Sequence, residues 1–241
     1  MAKTITKLGN GLLYRPDMPE VRDRLTRWWN GGDIGRPMIQ ITAPREEPLE
    51  ELPEREPPEG WVTHYSISDY GYREHLARTA PTGSCYLGDA VPSVSPDLAP
   101  NCLALYLGCE GVDMPGTVWC RPFIEDPESA RFEYDEDNPY WRFTRRLGNA
   151  MREIAAGRYL IQFPDLIEGL DTLEAMRGAD RLLMDLFDRP DWVRESLDRI
   201  TELYFVYYER LYEMIADETG GSIFWAWAPG RMAKLQCDFS A

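Results

Sequence analysis

The stretch of residues 159–199 constrains the fold of this chain more than any other part of the sequence. It begins with an apolar run, Tyr159 to Phe163, which has the length and composition of a buried strand. A loop with Asp165, Glu168 and Asp171 follows, and two helical patterns come after it. Acidic residues just beyond the carboxyl end of a buried strand lie where α/β barrels place their catalytic groups. The stretch therefore predicts a strand and a loop that faces a site.

Most of the remaining chain alternates between strand-like and helix-like segments, which favours parallel βαβ units in an α/β fold. We predict that five segments are parallel strands of one curved sheet: 38–43, 85–89, 117–120, 159–163 and 223–227. A closed eightfold barrel typically needs ~250 residues. We therefore expect a (β/α)8 TIM barrel that is incomplete because its last strands are missing. A doubly wound open sheet is the alternative, although no G-x-G-x-x-G motif follows any strand.

We interpret residues 1–241 as one partial barrel domain with two additions. Residues 1–35 predict an N-terminal helical extension, because apolar residues such as Val21 and Leu25 recur at helical spacing. Residues 44–60 are rich in Pro and Glu, which cannot build a core. They predict a solvated surface loop.

The charge of the chain limits the classes of partner that it can bind. There are 26 basic and 41 acidic residues, so the net charge is −15. Such a surface repels phosphate backbones and anionic lipids, so we expect a small-molecule substrate and no nucleic-acid or membrane partner. No apolar run approaches the ~20 residues that span a bilayer, and the N-terminus lacks the apolar region of a signal peptide. We therefore expect a cytoplasmic protein.

The cysteines and histidines give no sign of a metal cluster. Five cysteines, at positions 85, 102, 109, 120 and 237, contain no C-x-x-C motif, and the two histidines, His64 and His75, lie apart from them. A scattered, odd set of cysteines predicts reduced thiols. We predict no metal site and no cofactor within this segment.

From about Arg36 onward, and most strongly across residues 159–241, the chain resembles the uroporphyrinogen decarboxylase superfamily, which includes the corrinoid-dependent methyltransferases. Residues 159–199 resemble the middle of its barrel. A second match is Gln236-Cys237-Asp238-Phe239-Ser240-Ala241, where the chain ends in mid-pattern. The resemblance implies a barrel whose cleft lies at the carboxyl ends of its strands. It also implies one of two reactions. The first is decarboxylation of a tetrapyrrole side chain, a lyase reaction of porphyrin biosynthesis, and the second is methyl transfer to or from a corrinoid protein.

The resemblance also carries expectations for a longer chain. A full-length methyltransferase would hold zinc through residues of later strands, and a full-length chain is expected as a homodimer. With its last strands missing, such a barrel should expose sheet edges and apolar surface in residues 1–241. We expect such a fragment to be marginally stable, prone to aggregation and catalytically inactive because part of the cleft wall is missing, with no turnover of uroporphyrinogen and no stoichiometric zinc.

The resemblance also suggests two candidate residues in the N-terminal half of the chain. Asp89, in Leu87-Gly88-Asp89-Ala90, matches the decarboxylase aspartate that faces pyrrole N–H groups, which implies a catalytic role; the alternative is that it caps the next turn. Arg45 stands alone where the family has R-Q-A-G-R-Y, which implies substrate binding. The alternative is a loop arginine paired with Glu46 or Glu47. A single arginine favours a substrate less anionic than uroporphyrinogen.

The acidic loop supplies the other catalytic candidates. Asp165 and Glu168 could act as general bases or hold a cationic group, and they could also cap the helix that follows. Asp171 has Glu174 three residues later, like a capping box, so we predict that it caps a helix.

The C-terminal segment supplies three candidates for substrate binding. Asp238 opens D-F-S-A, which resembles the D-P-S-A signature of the methyltransferases with Phe in place of Pro; Cys237 beside it is predicted to be a buried thiol. Trp227 and Arg231 follow Trp225 in FWAWAPGR. The tryptophans could stack a planar ligand, with Arg231 for its carboxylate; the alternative is core packing followed by a turn.

We predict that Arg45, Asp89, Asp165, Glu168 and Asp238 converge on one cleft, because each lies at or just beyond the carboxyl end of a predicted strand. A different class of function stays open beside the two reactions. A non-catalytic barrel that binds a small organic or sugar-like ligand could use the same acidic loop and tryptophans.

Overall fold

A computed structural model gives the fold of residues 11–167 and 169–234. The fold is mixed α/β, with seven α-helices and small sheets, none of them closed, in this described part. The helices are α1 (Met18–Trp29), α2 (Tyr70–Thr79), α3 (Cys102–Tyr106), α4 (Pro139–Ala155), α5 (Leu170–Arg177), α6 (Ala179–Asp188) and α7 (Pro190–Ile215). The strands are β1 (Gln40–Pro44), β2 (Ser84–Gly88), β3 (Ser93–Val94), β4 (Glu110–Met114), β5 (Thr117–Arg121), β6 (Leu160–Ile161), β7 (Ser222–Ile223) and β8 (Trp227–Ala228).

Two helices begin where local sequence signals put them. Pro190 opens α7, where its missing N–H costs nothing, and Asp191 adds an acidic group to the first turn. In α4, the side chain of Asn138 accepts hydrogen bonds from the backbone N–H groups of Tyr140 and Trp141. These signals mark the starts of the two longest helices, which pack against each other.

The prediction of one sheet of parallel strands is wrong for the five segments named above. β1 pairs with β2, β4 with β5, and β7 with β8, and all three pairs are antiparallel. In the β4–β5 hairpin only Pro115 and Gly116 separate the strands, and Gly116 has a φ of +77°. A two-residue turn reverses the chain, so the strands that it joins must be antiparallel. The sequence predicted a strand at 117–120, within β5, and missed its partner β4.

One pair has the parallel arrangement that a βαβ unit requires. β3 and β6 are parallel, with Ser93 opposite Leu160 and Val94 opposite Ile161. Helix α4 lies between them in the chain and immediately precedes β6. Beyond β6, the N–H of Phe163 donates to the carbonyl of Ile223 in β7 at 2.8 Å. The carboxyl ends of β3 and β6 therefore open on the same edge.

The core is built mainly by helices and aromatic rings. The larger hydrophobic cluster joins α3, α4, α5 and α7, and at its centre the rings of Tyr106, Trp141 and Tyr207 lie with centroids 5.0–5.3 Å apart. A smaller cluster joins α1 to β6, β7 and β8 through residues such as Val21, Leu160 and Trp227. The two clusters hold the parallel pair from opposite sides.

Residues 45–60 contain no helix or strand, and most of them are exposed. Glu50 fixes this loop to the body of the protein, because its carboxylate accepts hydrogen bonds from Tyr14 and from Arg158. In the described residues, no helix has the length and apolar character needed to cross a bilayer.

The burial of α7 leads to a stability prediction. Leu203 is fully buried in the larger cluster, whereas Phe187 on α6 is 85% exposed. Leu203→Ala should lower the free energy of unfolding by about 2–5 kcal/mol because it leaves a cavity. Phe187→Ala removes a larger side chain and should change the same quantity by less than about 0.5 kcal/mol. Urea denaturation of both variants measures the difference, and equal losses would contradict this account of the core.

Candidate functional site

Two aspartates meet beyond the carboxyl ends of the parallel strands. Asp97 follows β3, and Asp165 follows β6. The backbone N–H of Asp165 donates to Oδ1 of Asp97 at 2.9 Å. The loops after the two strands are thus joined directly, at the edge where α/β folds bind their ligands. We call this region the Asp97–Asp165 site.

The carboxylate of Asp97 is held by hydrogen bonds on one oxygen. Oδ1 accepts from the N–H of Leu98 at 3.0 Å and from the thiol of Cys102 at 3.2 Å, besides the N–H of Asp165. Removal from water outweighs these bonds and raises the pKa of Asp97 to about 6. A carboxyl group with such a pKa can both give and take a proton near neutral pH.

Asp165 faces the one lysine among the described residues, Lys234, and the two side chains form an ion pair. The side chain of Lys234 is 6% exposed, and its Nζ lies 4.3 Å from the centre of the Trp225 ring. The hydroxyl of Tyr204 donates to the carbonyl of Lys234 at 2.9 Å, which fixes the backbone there. The ammonium group is therefore positioned between a carboxylate and an aromatic face.

A cavity of about 150 Å³ opens between these loops. Its polar lining comes from Tyr65, Asp97, Gln162 and Asp165, and the ring of Trp225 forms one wall. Burial raises the pKa of Tyr65, and the charges of Asp97 and Asp165 raise it further, so its phenol stays a hydrogen-bond donor. Two carboxyl groups, a phenol and an amide can orient a small polar molecule and move a proton on it.

An arginine that is not part of the cavity lining fixes two of the loops that form the cavity. Arg73 is buried, and its guanidinium donates to the carbonyls of Tyr65, Ser66 and Asp97. A planar guanidinium has enough donors to hold several carbonyls at once. This contact pins the Tyr65 loop to the loop after β3.

Asp89 lies elsewhere and is completely buried. Its two oxygens accept from Nη1 and Nη2 of Arg36, each at 2.7 Å, from Nε of Arg24 at 3.1 Å and from the N–H of Ile39 at 3.0 Å. The Arg36 guanidinium holds the pKa of Asp89 well below its usual range. These contacts are those of an internal ion pair that joins α1 to the β1–β2 sheet, and the catalytic role of Asp89 stays a prediction.

Arg45 is at the other end of that sheet. Gln40 pairs with Gly88, and Pro44 pairs with Ser84, so Asp89 and Arg45 follow the ends of antiparallel strands that point in opposite directions. The predicted convergence of these two residues on one cleft is therefore wrong. Arg45 donates through Nε to the carbonyl of Ser84 at 3.2 Å. Its substrate-binding role stays a prediction.

The FWAWAPGR segment is divided between core and surface. Trp227 is buried and donates through Nε1 to Asp217 at 2.8 Å, as in the core-packing alternative. Arg231 pairs with Glu209 and lies over the ring of Tyr212 at 4.4 Å. Trp225, at the tip of the β7–β8 turn, is the tryptophan that borders the Asp97–Asp165 cavity. The substrate-binding roles proposed for Trp227 and Arg231 remain untested predictions.

Three candidates lie outside the described residues: Glu168, Cys237 and Asp238. Asp171 lies in the first turn of α5, and the helix is capped at Gly169, so the prediction that Asp171 is the N-cap residue is wrong. Among the described residues there is no group of three or more His, Cys, Asp or Glu side chains that could hold a metal ion.

Sequence reasoning missed Asp97 and Lys234. Asp97 follows a strand of only two residues between Pro92 and Pro96, which is too short for any periodicity to identify. Lys234 had a signal that could have been used: only Lys3, Lys7 and Lys234 are lysines among the 26 basic residues. Because every other basic residue outside the N-terminus is arginine, the lysine at position 234 is a candidate for a role that arginine cannot fill.

Comparison with known proteins identifies no relative, since no family model, curated protein or solved structure matches this chain.

The raised pKa of Asp97 predicts a pH dependence of stability. Its native pKa of about 6 lies above the unfolded value of about 4, so the folded chain binds more protons between these values. Stability from this group is full below about pH 4 and falls as the pH rises through 6. Asp97→Asn keeps the oxygen acceptor and removes the titration. The Tm of Asp97→Asn minus that of the native protein should therefore increase from pH 4 to pH 7, by the equivalent of at most about 3 kcal/mol.

Thermal denaturation of both proteins across this range measures the effect. Asp137→Asn removes an exposed carboxylate outside the site and gives the background. A difference in Tm for Asp97→Asn that does not change with pH would contradict the assignment of a raised pKa to Asp97.

The ion pair of Asp89 predicts a dependence of opposite sign. Asp89→Asn should lower the free energy of unfolding at pH 7 by about 1–3 kcal/mol, because two guanidinium groups lose a charged acceptor. Since the native pKa is lowered, this contribution is present above about pH 4 and lost as the pH falls below it. The difference in the free energy of unfolding between Asp89→Asn and the native protein should therefore become smaller at acid pH. Asp23→Asn, an exposed carboxylate on α1, is the matched control in the same urea titrations.

Proposed function

We propose that this chain carries the acid–base part of a small-molecule active site, in an α/β barrel enzyme that resembles the uroporphyrinogen decarboxylase superfamily. The observation that carries the proposal is the contact between Asp97 and Asp165 beyond the carboxyl ends of two parallel strands. This is the edge at which barrel enzymes place their catalytic residues. The parallel β3–β6 pair is the support for the barrel.

The reaction class that we propose is decarboxylation. Asp97, with a pKa of about 6, is available as an acid near neutral pH and can protonate a carbonyl or carbon atom of a substrate. Asp165, which forms an ion pair with Lys234, places a second carboxylate beside Asp97. Two carboxyl groups in different environments can serve as acid and base in one site.

The substrate that we propose is smaller and less anionic than uroporphyrinogen. The cavity of about 150 Å³ has room for roughly five water-sized groups. The carboxyl groups of Asp97 and Asp165 both belong to residues that line the cavity, the ammonium group of Lys234 pairs with Asp165, and the chain carries a net charge of −15. Such a field disfavours a polycarboxylate. A small oxo acid, which loses CO₂ when its carbonyl is protonated, suits this site better.

Methyl transfer involving a corrinoid protein is the other reaction that the resemblance implies. The match that suggests it includes Asp238, outside the described residues, and no contact in residues 11–167 or 169–234 favours it over decarboxylation. We derive no step through zinc. A non-catalytic site for a small ligand would use the same cavity and is separated from an enzyme by turnover.

The test is release of CO₂ from uroporphyrinogen III, acetoacetate and oxaloacetate by the purified chain. We expect turnover of a 3-oxo acid and none of uroporphyrinogen. Asp97→Asn should lower kcat by about a hundredfold or more, because it cannot donate the proton. Asp137→Asn, on the surface, should leave kcat unchanged. Release of CO₂ from none of the three compounds, or equal rates in Asp97→Asn and the native chain, would contradict the proposal.

A further inference from the structure

The choice between lysine and arginine in this chain is strongly one-sided. Of 26 basic residues, 23 are arginine, and two of the three lysines, Lys3 and Lys7, lie near the N-terminus. Among the described residues, arginine makes the ion pairs with acidic side chains everywhere except at Lys234. Lys234 thus occupies a buried position in the Asp97–Asp165 site where the chain departs from its usual cation.

Lysine has one chemical property that arginine lacks. A guanidinium group stays protonated in proteins, whereas the amine of lysine can lose its proton and attack a carbonyl carbon. An ion pair alone needs only the charge, which arginine supplies throughout this structure. The position of Lys234 therefore points to use of its amine as a nucleophile.

The surroundings of Lys234 supply what such an attack requires. Asp165 is in direct contact with Nζ and can take its proton. The Trp225 ring, 4.3 Å away, and the bond from Tyr204 to its carbonyl hold the side chain in one place. Asp165 and Trp225, the two residues that contact the amine, both line the cavity.

We propose that Lys234 forms an imine with a small oxo acid bound in the Asp97–Asp165 site. Asp165 first takes a proton from the ammonium group, and Nζ then adds to the carbonyl carbon to give a carbinolamine. Asp97, in its acid form, gives a proton to the hydroxyl group, which leaves as water while the C–N double bond forms. One water is released for each imine, and nothing is oxidised or reduced.

This inference rests on the proposed function and names its substrate class. A protonated imine withdraws electrons from the neighbouring carbon, so a 3-oxo acid bound in this way loses CO₂ readily. A 2-oxo acid forms the same imine without an easy loss of CO₂. Both classes should therefore be captured by Lys234, and only the first should be decarboxylated.

Reductive trapping tests the inference. The purified chain is incubated with pyruvate and sodium borohydride, and its intact mass and peptides are measured. We expect a mass increase equal to that of pyruvate less one oxygen atom, located on the peptide that contains Lys234. Lys234→Arg, which keeps the charge, should lose this adduct completely. Asp165→Asn should slow trapping at Lys234 on the order of tenfold or more, because the proton acceptor is gone.

The outcomes separate this inference from the proposed function. No adduct on Lys234, or equal labelling of the N-terminus, Lys3, Lys7 and Lys234, would overturn the imine. Capture of pyruvate at Lys234 with no CO₂ released from any substrate would leave the imine standing and reject the decarboxylase. Release of CO₂ that depends on Asp97 but not on Lys234 would reject the imine alone.

Discussion

The site of this protein depends on one shared acceptor, Oδ1 of Asp97. Three donors reach it, from the backbone of Leu98 and Asp165 and from the thiol of Cys102. They belong to the loop after β3, the loop after β6 and the start of α3. Without a charged or strongly polar acceptor at this point, two buried N–H groups would lose their partners. The parallel strands themselves are only two residues long. Hydrogen bonds to this oxygen join the loops after them, where a longer sheet would continue the strand pairing.

Arginine is the partner of most buried acids in the described residues, and Asp165 differs from them in this respect. Asp89 and Asp185 are buried acids whose oxygens accept from arginine guanidinium groups, and Arg73 and Arg15 bind backbone carbonyls in the same way. In a chain with such an excess of acid, buried carboxylates need these partners. Asp165 is different because its partner is a lysine and because its side chain borders a cavity.

The sequence predicted the helices better than the sheets. α7 and α4 begin at signals that can be read from the residues themselves, because Pro190 opens α7 and the side chain of Asn138 caps α4. The direction of strand pairing was wrong for β1, β2, β5 and β7, since a strand's own residues do not specify which neighbour it meets. Asp165 was found because it follows a clear apolar run. Asp97 was not, because its strand is too short to show a pattern.

The shared oxygen of Asp97 has a consequence for how the loops respond to a ligand. When this carboxyl group takes up or gives away a proton, the strength of the bonds from Asp165 and Cys102 changes together, because charge on the acceptor strengthens all of them at once. The same event alters how firmly α3 is attached, since the N–H of Cys102 also donates to the carbonyl of Asp165. Protonation of this one oxygen is thus linked to the rigidity of the loop after β3, the loop after β6 and the start of α3. The charge of Asp97 and the order of these three segments therefore change together.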